Sequence, residues 1–406
     1  MRIGRCAAAL CAAACIQSGS AAAQGRALTL ADALARAREQ APQIVSARLA
    51  VEETRGRLAG ASLRQQSNPE LQGALGNRNG PESRFTDFEV GVAQAFEPGA
   101  RRSARMEGVH AAIAQSTAEL EDITRLVMRA AAASYFRALH AGERIRLLSR
   151  AQELATGVHT AADRRYKAGD VAVLDVNIAR ASLARVKADR EAAEAARAQA
   201  LGDLEALLGI DEEVTVTGQL AAPGDADLNA ALESSGTRPE LRALEAALRE
   251  ADAELKLGTA FSKPEYGLGV RYAREEGDQI VLGTMSLTLP VVSKGQELRA
   301  VAAARSARLR AELDAARTRV RHEVRTAYDA YRRRLAAVRT LETEAIPGLD
   351  ENDMLATRSF EAGQIGLTDL LLLRREILDT RVQYLDALLE AALARIDLDA
   401  SAAILR

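Results

Sequence analysis

The chain has few of the residues on which catalytic, metal-binding and disulfide-bonded proteins depend. Among its 406 residues the only cysteines are Cys6, Cys11 and Cys15, and the four histidines lie too far apart to form a ligand pair on one helical turn. No phosphate-binding glycine loop and no nucleophile motif is present. The sequence therefore predicts no catalytic residue, no cofactor and no metal site.

Long apolar runs and a surplus of one charge are also missing. The chain has 54 Lys and Arg against 56 Asp and Glu, so it has no excess of positive charge that would predict binding to nucleic acid. After the N-terminus, no segment approaches the ~18 uninterrupted apolar residues that a membrane-spanning helix needs. If the protein crosses a membrane, it must do so with β-strands.

Residues 1–23 have the pattern of a secretory signal peptide. Arg2 and Arg5 precede an apolar run that ends at Ile16, and small residues follow up to Ala23. Cleavage after Ala23 would remove every cysteine. Lipid attachment at Cys15 is the alternative for this segment.

One motif occurs twice in the rest of the chain. Residues 166–175 and 360–369 each contain an aromatic residue, then Ala and Gly, and then an Asp six positions after that Gly. The motif separates two helical patterns in each copy, and glycine ends a helix with little strain. We therefore predict two helical hairpins with tips at these positions, and hence a duplicated unit.

Alternating segments precede each long helical pattern. Residues 69–96 and 264–289 alternate apolar with polar or small residues, which predicts β-hairpins with one apolar and one polar face. The residues that we expect to face lipid are Phe88, Val90, Val92, Tyr266, Leu268 and Val270.

The predicted fold is mainly α with a small β part. Residues 24–208 form a first repeat and residues 239–406 a second, each with a helix, a β-hairpin, a long helix, a tip and a returning helix; residues 209–238 connect the repeats. Pro347 predicts a kink in the second long helix. The run Arg101-Arg102 is interpreted as a solvated helix face.

Four strands are too few to close a membrane barrel, since the smallest have about eight. Open sheet edges are not tolerated in lipid. The barrel must therefore be shared among copies of the chain, with two copies giving 8 strands and three giving 12. If the same copies share the helices, these form a tube that continues the barrel.

With these features the chain resembles the outer-membrane factors of tripartite efflux pumps, the TolC-like family. The resemblance implies a homotrimer with a 12-stranded transmembrane β-barrel in the outer membrane of a Gram-negative bacterium and an α-helical tunnel in the periplasm. It implies a passive exit duct for substrates. It also implies two partners, a periplasmic adaptor (membrane fusion) protein and an inner-membrane transporter of the resistance-nodulation-division type. Residues 67–71 and 93–102 look most like the branch that exports heavy-metal cations.

The resemblance also implies roles for residues at the two tips. The candidates for the periplasmic aperture are Asp369, Asp175 and Leu372. The candidates for adaptor contact are Gly169, Asp170, Gly363 and Gln364. The alternative is structural: each Asp would favour a helix N-terminus, and each Gly would meet the geometry of the turn.

Two other classes of protein remain open at this point. A periplasmic coiled-coil adaptor would have one helical hairpin and more strands. A structural envelope protein would lack the alternating segments.

Overall fold

A computed structural model of the chain describes residues 26–81 and 84–404. The predicted signal peptide and Cys15 lie outside the described residues.

The first half follows the predicted order of elements. Thr29 caps the first helix by accepting a hydrogen bond from the backbone of Asp32, and Pro42 is the first residue of the second helix, where a missing N–H costs little. The elements are β1 (Arg26–Leu28), α1 (Leu30–Gln40), α2 (Pro42–Ala61), β2 (Glu70–Asn79), β3 (Arg84–Phe96), α3 (Gly99–Ala168) and α4 (Val173–Leu208).

The connector contains a short strand and a short helix, and the second half then repeats the first. The elements are β4 (Val214–Val216), α5 (Leu228–Ser235), α6 (Pro239–Ala260), β5 (Glu265–Glu275), β6 (Asp278–Thr288), α7 (Gln296–Thr340), a π-helical turn (Leu341–Ala345), α8 (Leu349–Glu361) and α9 (Leu367–Ser401).

The two β-hairpins lie side by side in one antiparallel sheet, in the order β2-β3-β5-β6. Val92 at the centre of β3 pairs with Leu71 of β2 and with Val270 of β5. Within the described residues, the outer edges of β2 and β6 pair with no other strand. The sheet therefore has two open edges, one contributed by each half of the chain.

Each strand of this sheet is joined to its own helix. α2 leads into β2, α3 follows β3, α6 leads into β5 and α7 follows β6. The helices pack in the same order as the strands, with α3 against α2 and α6, and α6 against α7. A single layer of four strands thus continues into a single layer of four helices.

The repeats are held together where the connector crosses the long helices. In the first half, Tyr135 is 3% exposed within a core cluster of α1, α3, α4 and β4, and its hydroxyl donates to the carbonyl of Thr217. In the second half, Tyr331 of α7 donates in the same way to the carbonyl of Gly224. We call this level of the molecule the equator.

Beyond the equator the chain forms the two predicted helical hairpins, α3–α4 and α7–α9. α3 has 70 residues without a break, which is about 105 Å at 1.5 Å per residue. The second long helix is interrupted by the π-helical turn and by Gly348, whose φ is 92°. The kink predicted at Pro347 is therefore present, and it separates α8 from α7.

Candidate functional site

One face of the sheet is apolar and exposed. Along β3, Phe88, Val90 and Val92 are more exposed than the residues between them. The antiparallel register places the apolar residues of the other strands on the same side. This apolar face consists of Leu71, Leu75, Phe88, Val90, Val92, Tyr266, Leu268, Val270, Val281, Met285 and Leu287, each between 37% and 80% exposed.

An exposed apolar face of this size is unfavourable in water. Fully burying one side chain such as Val, Leu or Phe is worth about 1.5–3 kcal/mol, and large exposed apolar patches mark protein or membrane contacts. All six residues predicted to face lipid belong to this face. Contact with lipid itself stays a prediction.

The other face of the sheet is polar. Arg271 of β5 lies 3.1 Å from Glu89 of β3, and Arg78 of β2 lies 2.9 Å from Asp87. Two unlike faces of this kind are typical of strands in a transmembrane barrel.

Two aromatic pairs lie at opposite ends of the apolar face. Phe96 stacks on Tyr266 near the helices, with ring centroids 5.5 Å apart. Phe88 lies 5.7 Å from Tyr272 towards the far end of the strands. Aromatic side chains are typical of both interfaces of a membrane.

The junction between sheet and helices corrects one interpretation of the sequence. Arg101 is not on a solvated face: its side chain is 9% exposed and lies 3.1 Å from Glu265. Its guanidinium also donates to the carbonyl of Lys263 and lies 4.5 Å above the ring of Phe261. The interpretation was wrong because these partners come from the other half of the chain.

The two tips have the same backbone geometry. Gly169 and Gly363 have φ of 84° and 71°, a region that other residues rarely adopt. The next residue closes each turn: the N–H of Asp170 donates to Arg165 and that of Gln364 to Ser359, both at 2.8 Å. All four predicted adaptor-contact residues are exposed.

The aperture candidates lie on the first turns of the returning helices. Asp369 is exposed on α9, and its carboxylate accepts a hydrogen bond of 3.1 Å from the N–H of Gly366. The capping role weighed for this residue is therefore present. Asp175 is half-buried in the first turn of α4. Leu372, 63% exposed, lies one turn beyond Asp369.

The structure brings the two tips close together. Leu367, the first residue of α9, packs against Ala162 of α3 and Val176 of α4. Asp175 and Asp369 therefore belong to the same end of the molecule. Whether they line an aperture stays a prediction.

A groove between the two hairpins was missed in the sequence. Its volume is about 600 Å³, and it is bordered by α3, α4, α8 and α9. Leu154 and Leu378 are among its apolar lining residues, and Arg150 and Arg375 are among its charged ones. No local pattern marks it, because its walls come from helices that are far apart in the sequence.

Some features are absent from the part of the chain that the structure describes. No helix in residues 26–81 and 84–404 is both long and apolar enough to cross a membrane. In the same ranges, no group of three or more His, Cys, Asp or Glu side chains is arranged to hold a metal ion.

Comparison with known proteins shows a similarity to outer membrane efflux proteins. The model of the outer membrane efflux protein family matches residues 33–210. The cobalt-zinc-cadmium resistance protein CzcC of Cupriavidus metallidurans is 25% identical over 327 residues, which cover 79% of this chain and 77% of CzcC. The chain is therefore similar to outer membrane efflux proteins, both in the family model and in this relative.

Solved structures share the fold of this chain over most of its length. A membrane protein from Pseudomonas aeruginosa has a TM-score of 0.78 and 18% identity, and the match covers 92% of this chain and 90% of that one. The MtrE outer membrane channel of Neisseria gonorrhoeae in its open state has a TM-score of 0.72 and 20% identity, with 92% and 88% covered.

Proposed function

We propose that this protein is the passive exit duct of a tripartite efflux pump, in the outer membrane of a Gram-negative bacterium. The observation that carries the proposal is the single layer of four strands continuing into four helices, with an apolar face and two open edges. Lipid would cover the apolar face, and copies of the chain would cover the edges.

The assembly that fits best is a homotrimer. The open edge of β2 and helix α2 lie on one side of the layer, and the edge of β6 and helix α7 lie on the other. Contact between unlike sides builds a closed ring when the rotation closes. Three copies would give 12 strands, and the same contacts would join the helices into a tunnel.

The cargo that we propose is heavy-metal cations. The support is the 25% identity with CzcC, whose name describes resistance to cobalt, zinc and cadmium. The exposed tips would contact a periplasmic adaptor, and an inner-membrane transporter of the resistance-nodulation-division type would supply the energy. A ring of Asp369 carboxylates at the tip would attract cations.

The alternative of a coiled-coil adaptor fits less well. The described residues form two helical hairpins and one four-stranded sheet, whereas an adaptor would have one hairpin with several β domains. A purely structural role does not explain a sheet with one exposed apolar face.

Reconstitution into planar bilayers tests the proposal. We expect stable channels, and we expect Asp369→Ala to raise their conductance and lower their preference for cations. Leu372→Ala is the matched control beside it, which changes side-chain size without changing charge. An absence of channels would contradict the duct, whereas channels unaltered by Asp369→Ala would contradict only the aperture role.

A resistance assay tests the cargo. Deleting the gene should increase sensitivity to cobalt, zinc or cadmium ions, and the wild-type gene should restore resistance. Sensitivity to dyes and antibiotics alone would contradict a heavy-metal duct.

A further inference from the structure

Acidic residues on α9 face basic residues of the first hairpin along the seam between the two hairpins. The acids are seven and eleven residues apart, so they lie close to one side of α9. The pairs are Asp397 with Arg129 at 2.7 Å, Asp386 with His140 at 2.8 Å and with Arg144 at 3.3 Å, and Asp379 with Arg185 at 4.0 Å.

The middle contact of this seam contains its only histidine. Nε2 of His140 lies 2.8 Å from Oδ1 of Asp386, and the imidazole is 12% exposed. The hydrogen bond from His140, together with the charge of Arg144, lowers the pKa of Asp386. The carboxylate is therefore charged across the neutral range, and the imidazole has a fixed partner on the other hairpin.

We propose that His140 and Asp386 form a proton-sensitive tie that holds the two hairpins together more tightly in mild acid than at alkaline pH. An imidazole gains its proton between about pH 5 and 8. Because the carboxylate is already charged, the added proton gives the hydrogen bond a second, opposite charge and so adds an attraction between charges to it. When the proton is lost, the bond to Asp386 weakens.

The other charged groups near His140 belong to residue classes that ordinarily titrate outside this range. α4 packs at the same level, since its Leu201 contacts the cluster that contains Leu139. The charged residues of this level are Arg137, Glu143 and Arg144 on α3, Asp386 and Glu390 on α9, and Arg197 and Asp203 on α4. Glu390 pairs with Arg334 of α7 at 3.2 Å, and Asp203 accepts a hydrogen bond from Gln199 at 3.0 Å.

The tie lies at the equatorial end of the groove between the hairpins. Leu147 of α3 and Arg381 of α9 line the groove; Leu147 lies about two turns from His140, and Arg381 about one and a half turns from Asp386. Beyond this end, the only ion pair between α4 and α9 in the described part of the chain is the long one of Arg185 with Asp379. A weaker tie would therefore allow the groove to widen between its equatorial end and the contact of Leu367 with Ala162 and Val176 at the tips.

Distance measurement between spin labels tests the tie in the full-length protein in detergent. Cysteines replacing Arg150 and Arg375 would carry labels on opposite sides of the groove, and the native cysteines lie within the first fifteen residues. We expect the fraction of separated hairpins to be about fivefold larger at pH 8.5 than at pH 5.5, because the hydrogen bond of His140 with Asp386 has one charge fewer at the higher pH.

Two substitutions at position 140 separate the tie from general packing. His140→Gln, which stays neutral, should give the wider distribution of distances between the labels at both pH values. His140→Arg, which stays charged, should give the narrower distribution at both. Asp397→Asn is the matched control on the same two helices: it should loosen the seam without removing its response to pH.

Either of two results would overturn the proposal. One is a wild-type distribution that is the same at both pH values. The other is a pH response that persists in His140→Gln, which would assign it to His110, His159 or His322. Neither result depends on whether the protein conducts ions.

Discussion

The two helical hairpins have the same tip but differ in their long arms. α3 runs through 70 residues and packs against α2, α4, α6 and α9. In the second hairpin, α7 has 45 residues and α8 only 13, with a π-helical turn between them. α8 is held mainly by α9, through Arg374 with Asp353 at 3.1 Å and Arg381 with Asp350.

This difference indicates that the two long arms have different structural roles. A duplicated sequence gives two equivalent turns, but the two arms have different neighbours and only one contains Pro347, which lacks a donor for the helix. We infer that α3 is the rigid support of the protomer and that α8 is a separately held segment. The predictions below compare the effects of substitutions in the two hairpins.

The largest effect is expected from a proline in the continuous arm. Ala138 is fully buried in the middle of α3, so Ala138→Pro should remove a hydrogen bond, create a clash and cost about 3 kcal/mol or more. Thermal unfolding followed by circular dichroism should show a large fall in Tm.

The matched control is Leu349→Pro in the second hairpin. Leu349 is the first residue of α8, a position that tolerates proline, and its N–H makes only a long hydrogen bond of 3.3 Å to the carbonyl of Ile346. Its Tm should change little. Equal losses of Tm in the two variants would contradict the inference that the long arm of the first hairpin is continuous and that of the second is already interrupted.

A smaller and equal effect is expected at the equatorial tyrosines. Tyr135→Phe and Tyr331→Phe each remove a hydroxyl that donates to a connector carbonyl. Each variant should lose about 0.5–1.5 kcal/mol, the net contribution of one hydrogen bond; in Tyr331→Phe the carbonyl of Gly224 keeps a hydrogen bond of 3.1 Å from Arg395. Urea unfolding should give similar losses for the two variants, and a loss in only one would show that the duplication does not extend to these contacts.

The two tip glycines should also respond alike. Gly169→Ala and Gly363→Ala each place a side chain at positive φ, with an expected cost of about 1 kcal/mol. Adaptor cross-linking measured on the same variants separates two roles. Reduced cross-linking with the trimer retained supports adaptor contact, whereas unchanged cross-linking supports a role in the turn alone.

The smallest effect is expected in acid. Because the folded pKa of Asp386 is lowered, its contribution to stability is present above its ordinary value of about 3.9 and is lost as pH falls through the folded pKa. Asp386→Asn should therefore reduce Tm at pH 6 but bring little further change near pH 2.

Asp163 of the first hairpin provides the comparison for this effect. Its pKa is lowered first by the hydrogen bond from Lys167 on the same helix and to a smaller extent by the charge of Arg180 on α4, so its hydrogen bond joins no second element. Asp163→Asn should change Tm less than Asp386→Asn at pH 6. A larger change in Tm for Asp163→Asn than for Asp386→Asn would contradict the inference that the pair of Asp386 with His140 contributes more to stability.

The sequence predicted the features that depend on local patterns. Period-two alternation around Val90 and Val270 predicted the strands and their unlike faces, and the glycines at 169 and 363 predicted the tips. These features could be predicted because each arises from residues within a few positions of one another.

Features that join distant segments could not be predicted in the same way. Arg101 meets Glu265 across the two halves, and His140 meets Asp386 across the two hairpins. The pairing of β3 with β5 and the groove between the hairpins also depend on tertiary packing. A single sequence gives the residue types at such sites but not their partners.

Cross-linking of the two sheet edges tests the central claim most directly. Cysteines would replace Ala74 on β2 and Thr284 on β6, strands that lie at opposite edges of the sheet within one chain, and a short cross-linker would be applied in lipid vesicles. We predict covalent trimers with both cysteines present and none with either alone. A protein that inserts into vesicles but yields only monomers would contradict a channel wall shared among three copies.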